Sequence, residues 1–292
     1  MRSKNKTKKP FKLIIIILVC VLAFYASKLL HAKKKIQKEE ISEAGKIVIA
    51  PISTPTPIPI PSTSIVEEEA TPKENVFRKV AFGYSIKGKP IEGYEIGSGD
   101  DCLFMFGSIH GNEMGTTDLL NKLVAEIRAK PNLVGEKMKL IVLPIANPDG
   151  YYDRTDKLNA NLVNLNLNFA TTDWQQYGGE GTFAGEKPFS EPESRVIKEI
   201  VEKYKPRRMI SYHAKGGIVN PEYNHESSLA LSLWYAEMTG YKYYGDGDWD
   251  FSGTATRWFK ETTGNAALTV ELSELLASDW EINRDALLEL IS

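Results

Sequence analysis

The sequence predicts an α/β domain built on a largely parallel central sheet. From about Val76 onward, short apolar runs rich in β-formers alternate with segments of helical periodicity. Polar residues suited to chemistry follow the ends of those runs, and in open α/β sheets ligands bind outside the carboxyl ends of the strands. The region before Val76 has a different texture, an apolar run followed by a proline-rich stretch that cannot close a core.

Residues 1–12 form a basic tail, with Arg2, Lys4, Lys6, Lys8, Lys9 and Lys12 ahead of an almost unbroken apolar stretch over residues 13–30. That pattern reads as a signal sequence or signal anchor. The uncleaved anchor is favoured because Phe24 sits two residues before Ala26, where a cleavage site wants a small residue, and Val19 precedes Cys20, which argues against a lipoprotein signal. Lys33, Lys34 and Lys35 follow the span, so the positive-inside asymmetry that places the amino terminus in the cytoplasm is shallow. Residues 31–75 read as a disordered linker, with five prolines among Ser and Thr between Ala50 and Ser64 that favour extended polyproline-II segments. The expected organisation is therefore a cytoplasmic tail, a single-pass anchor, a linker and an extracytoplasmic catalytic domain over residues 76–292.

Charge follows the same division. Residues 1–75 hold 13 Lys and Arg against 7 Asp and Glu, whereas the remainder holds 23 against 31. A basic arm suits anionic lipid, and an acidic folded domain argues against nucleic acid as its partner. The two cysteines, Cys20 in the apolar run and Cys102 in an expected strand, give no disulfide framework.

Within the domain, strands are expected at residues 102–108, 139–145, 209–212 and 266–270. Leu119, Leu120, Leu123, Val124 and Ile127 recur at helical spacing, as do Val196, Ile197, Ile200, Val201 and Tyr204. Ser190 and Glu193 have the spacing of a capping box, with Pro192 in the first turn of the second helix.

His110, Asn147, His213 and Glu271 all fall just past or at expected strand ends and should converge there. His110 and Glu113 form H-x-x-E, and zinc accepts imidazole nitrogen and carboxylate oxygen at about 2 Å. Met114 stands where a helical H-E-x-x-H site would need its second histidine, so a third ligand must come from elsewhere, and His213 at the end of RRMISYH is the candidate. His225 reads instead as a surface histidine. Glu271 ends a β-rich apolar run where a lone carboxylate would be costly to bury, and a metal-activated water nearby would give it a partner.

Taken together, these residues resemble the zinc carboxypeptidase family, from about Phe82 to Leu272. GYSIKGKPIEGYEIG is similar to its opening hairpin and GSIHGNE to its first metal motif; PIANPDG, GTFAGEKPFSEPES, ISYHAKGG and TVEL follow in family order. The resemblance implies a mixed, largely parallel sheet with helices on both faces. It also implies one Zn2+ per chain on His110, Glu113 and His213, with Glu271 as general base.

Two departures stand out where the family reads R-x-N-x-x-G-V-D-L-N-R-N-F and this chain reads KLNANLVNLNLNF. Lys157 takes the place of the arginine that polarises the scissile carbonyl, keeping the charge but losing the planar fork. Leu167 takes the place of the arginine that clamps a substrate carboxylate, while Asn166 beside it is retained. Arg154 and Lys215 are nearby cations that could substitute, and Tyr243 or Tyr244, with Tyr244 preferred, is the candidate for the family's capping tyrosine. The expected function is a metallopeptidase, a carboxypeptidase or amidase acting on the stem peptides of peptidoglycan. The alternatives are a deacylase of the aspartoacylase and succinylglutamate desuccinylase type, which also carries H-G-N-E, and a non-catalytic module that binds wall peptides.

Overall fold

The computed structural model describes residues 76–153, 157–178, 181–221, 226–245 and 251–292. The tail, anchor and linker expected over residues 1–75 lie outside them, as do Arg154 and His225. Among the described residues no helix is long and apolar enough to cross a membrane.

The hairpin β1 (Phe77–Tyr84) and β2 (Pro90–Ile96) opens the fold, followed by β3 (Asp101–Phe106), α1 (Met114–Ala129) and β4 (Met138–Leu143). Next come α2 (Pro148–Asp153), α3 (Pro192–Tyr204), β5 (Arg208–Ala214), β6 (Ile218–Pro221) and α4 (Glu226–Thr239). The described chain closes with β7 (Lys242–Tyr243), α5 (Ala255–Thr263), β8 (Ala266–Leu272) and α6 (Trp280–Ile291). Among the described residues eight strands form one sheet, in the order β1-β2-β4-β3-β5-β8-β6-β7. The central four, β4-β3-β5-β8, are parallel; β2 joins β4 and β6 joins β8 antiparallel.

Alternation along β3 explains why its sequence reads as an unbroken apolar run. Leu103 and Met105 pack into a core with residues of α1, α4 and α6, while Cys102, Phe104 and Phe106 pack into a second core with α3 and α5. A strand buried on both faces must be apolar at every position, which is the mark of a parallel sheet covered on both sides. Burial also pushes the Cys102 thiol up to about 12, so it serves as a small core residue.

The sequence locates the four central strands but ends β3 and β4 two residues late, running on through Gly107-Ser108 and Pro144-Ile145, and ends β5 and β8 two residues early, so that His213 and Glu271 lie within their strands. The helix at residues 192–204 forms, yet its expected capping box does not. Glu191 is the N-cap, the Ser190 hydroxyl donates to the Glu191 carboxylate at 2.7 Å, and Glu193 reaches across to Asn159 and the Ile86 N–H.

Candidate metal centre and active site

The parallel strands deliver the site. Register pairs Phe106 of β3 with Ser211 of β5, and His213 of β5 with Glu271 of β8, so the carboxyl ends of three adjacent strands lie side by side. After β3 the chain turns sharply through Ser108, whose φ is 42°. Its N–H donates to Thr116 Oγ1 at 2.8 Å and its hydroxyl contacts Thr117 Oγ1 at 2.7 Å, which pins the turn to the first turn of α1. Glu113, the N-cap of α1, and His110 are thereby presented at the strand end. Gly111 is needed because a Cβ there would overlap the backbone of Gly150.

His110, Glu113 and His213 bring one ligand atom each within 4.8 Å of one another. His110 Nδ1 lies 2.8 Å from one Glu113 oxygen and His213 Nδ1 lies 3.1 Å from the other. The outward nitrogens are held as well, His110 Nε2 by Asn164 Oδ1 at 3.0 Å and His213 Nε2 by Ser211 Oγ at 2.9 Å. Fixing the outer nitrogen sets the orientation and tautomer that frees Nδ1 for a metal. Two imidazoles and a carboxylate, with Glu113 and His213 buried and His110 partly so, fit zinc with three protein ligands and room for a fourth.

Electrostatics fit a cation too. Burial alone would push the Glu113 carboxyl up, but the two histidines outweigh it and bring it down to about 2. Burial lowers the His213 imidazole, yet Glu113 and then Glu271 leave it raised. Glu271 is driven up to about 7, first by burial, with His213 pulling down and Glu113 pushing up.

These residues open onto a cavity of about 510 Å³ whose lining includes His110, His213, Glu271, Lys157, Asn166 and Lys215. Leu167, Thr254, Thr256, Arg257, Thr269 and Asn220 also line it. Tyr244 is not part of that lining, although its neighbour Gly245 is; its ring lies under Lys242.

Asn147 does not join the site. It is fully buried behind it, where its amide donates to the carbonyls of Ile109 and Leu158 and accepts from the Gly150 N–H. It clips together the loops that carry His110 and Lys157. The site also holds residues that the sequence does not single out; besides the cavity's threonines and Asn220, these include Asn164, Ser211 and Arg257. Period-2 spacing puts Ser211 on the His213 side of β5 and is the signal that could have found it; Asn164 falls at the D of the family motif R-x-N-x-x-G-V-D-L-N-R-N-F, and nothing local marks Arg257.

The family profile for zinc carboxypeptidases matches residues 63–276. The chain belongs to the zinc carboxypeptidase family. The family uses zinc, and the His110, Glu113 and His213 group is the one that could hold it. Among family members, the chain is 25% identical over 211 residues to murein peptide amidase A of Vibrio campbellii (strain ATCC BAA-1116), covering 68% of this chain and 80% of that one. It is 26% identical over 181 residues to carboxypeptidase B of Helicoverpa zea, covering 50% of this chain and 41% of that carboxypeptidase. The family fold is shared with murein-tripeptide amidase MpaA from Escherichia coli O157, at TM-score 0.58 and 22% identity over 73% of this chain and 91% of that one. It is shared likewise with carboxypeptidase A from Helicoverpa armigera, at TM-score 0.62 and 21% identity over 74% and 66% of the two chains.

Proposed function

We propose that this member of the zinc carboxypeptidase family is a metallopeptidase that hydrolyses amide bonds in peptidoglycan stem peptides. The observation that carries the reading is the convergence of a His2Glu ligand set and a buried carboxylate, Glu271, on one cavity. Zinc bound there would polarise the substrate carbonyl and make a water molecule acidic enough to attack it. Glu271, held near neutrality by burial, is placed to take a proton from the attacking water and pass it to the leaving nitrogen. Lys157, in the cavity wall, offers its ammonium to the oxyanion that develops on the carbonyl oxygen.

The wall substrate is supported by the relative named murein peptide amidase A, most of whose length this chain covers. It is supported further by the apolar run at residues 13–30 and the proline-rich spacer after it. We read those as a single-pass anchor and a linker that hold an extracytoplasmic domain near the wall. The test is mass spectrometry of muropeptides before and after incubation with the zinc-loaded full-length chain. Loss of a residue or a cut within the stem is expected. Unchanged muropeptides with deacylation of N-acyl amino acids would replace this reading with the deacylase one, and unchanged masses with retained binding would leave a wall-peptide-binding module.

A further inference from the structure

The cavity beside the metal group is cationic. Lys157, Lys215 and Arg257 line it, and among the described residues Glu271 is the one acidic side chain in the lining. At Leu167, where the family resemblance leads one to expect an arginine, an aliphatic side chain is buried to 4% exposure and faces the same cavity. The start of α5 is fastened to the segment that carries Leu167. The Ala255 N–H donates to Asn166 Oδ1 at 3.3 Å, the Phe169 N–H to the Gly253 carbonyl at 3.1 Å, and the Gly253 N–H to Thr171 Oγ1 at 2.9 Å. Gly253 has φ 75°, and a Cβ there would overlap the Leu167 carbonyl. Arg257, in the first turn of α5, is thereby carried to the part of the cavity wall that Leu167 occupies. Asp173, itself hydrogen bonded by Thr171 Oγ1 at 2.6 Å, forms an ion pair with its guanidinium.

We propose that Arg257, oriented by Asp173, receives a carboxylate on the leaving part of the substrate and so sets specificity for the free acid. This rests on the metallopeptidase reading. A guanidinium presents five donors in a planar fork suited to carboxylate, so one group can be shared between Asp173 and a substrate. Lys215 is exposed and offers a flexible point charge, which suits attraction more than geometric selection. The seat is supplied from a different element than the resemblance would suggest, with the charge moved from position 167 to the helix packed against it.

The test uses the zinc-loaded full-length chain in detergent, with L-alanyl-γ-D-glutamyl-meso-diaminopimelate and the same tripeptide with both carboxylates of its last residue amidated. The parent should favour the free acid by about 10- to 100-fold in kcat/KM, the range of one charge-assisted hydrogen bond or pair. Arg257→Gln should erase most of that ratio through KM, with zinc content unchanged, whereas Arg257→Lys should keep part of it and Lys215→Gln nearly all. Leu167→Arg in the Arg257→Gln background should restore it. No acid preference in the parent, or a preference that survives Arg257→Gln, overturns the proposal. Should Arg257→Gln fail to fold, Arg257→Lys and calorimetric binding of the free and amidated tripeptides to Glu271→Gln decide instead, and equal affinity for the two forms overturns it. If the parent cleaves neither tripeptide, the metallopeptidase reading fails for this substrate, while the same calorimetry still judges Arg257.

Discussion

His213→Ala removes one of the three proposed ligands and should lower zinc occupancy sharply, so full metal content in the purified variant would show that His213 is not a ligand. Glu271→Gln has the opposite signature. The ligand set is untouched, so zinc should remain while turnover falls by about 10²–10⁴, the range of a general base. Comparable turnover in parent and variant would remove Glu271 from that role. Asn164 acts one step further out, through its 3.0 Å contact with His110 Nε2. Asn164→Ala should weaken zinc binding by about 10- to 100-fold, as is usual for partners that orient a metal-binding histidine. A chelator competition titration reads this directly, and an unchanged affinity would mean that packing alone holds the His110 ring.

The helix α3 illustrates how an element can hold a charge in an awkward place. Glu193 in its first turn is 1% exposed, and burial pushes its carboxyl up to about 6 against donors from Asn159 and Ile86, with Glu191 adding to the rise. Because the folded state binds this proton more tightly than the unfolded chain, whose ordinary value is 4.5, the protonated form favours folding. The benefit is complete below about pH 4.5 and is lost as pH rises through about 6. The rise of about 1.5 corresponds to roughly 2 kcal/mol between those limits. Glu193→Gln cannot titrate, so between pH 5 and pH 8 its urea midpoint should fall less than that of the parent. Equal pH dependence in the two proteins would place the titration elsewhere. Asn159 and Ile86 also tie α3 to the β1–β2 hairpin and to the loop that leads to Asn164.

For the whole molecule, the division near residue 76 has a direct test. β1 begins at Phe77, and the Val76 carbonyl accepts from the Gly97 N–H at 2.8 Å, so the sheet edge starts here. Residues 76–292 should fold as a soluble protein with the melting cooperativity of one domain. Persistent insolubility together with a protease-resistant core that includes residues 50–64 would move the boundary. Much of the fold and of the metal site is legible in the sequence by itself, for identifiable reasons. Period-3.6 patterns and unbroken apolar runs report burial directly, so α1, α3 and the central strands can be read locally. The His110, Glu113 and His213 cluster, with Glu271 beside it, is legible as a candidate metal group because strand ends are where a parallel sheet exposes polar groups, and because their motifs occur in family order. What only the tertiary structure decides is what depends on contacts between distant segments. Asn147 has the sequence position of a site residue but spends its amide on the Ile109 and Leu158 carbonyls. Arg257 looks like an ordinary helical surface residue until α5 docks on residues 166–171 and turns it into the cavity. A strand end announces its polar side chain locally, whereas the cavity wall is assembled from loops whose neighbours in space are scores of residues away in the chain.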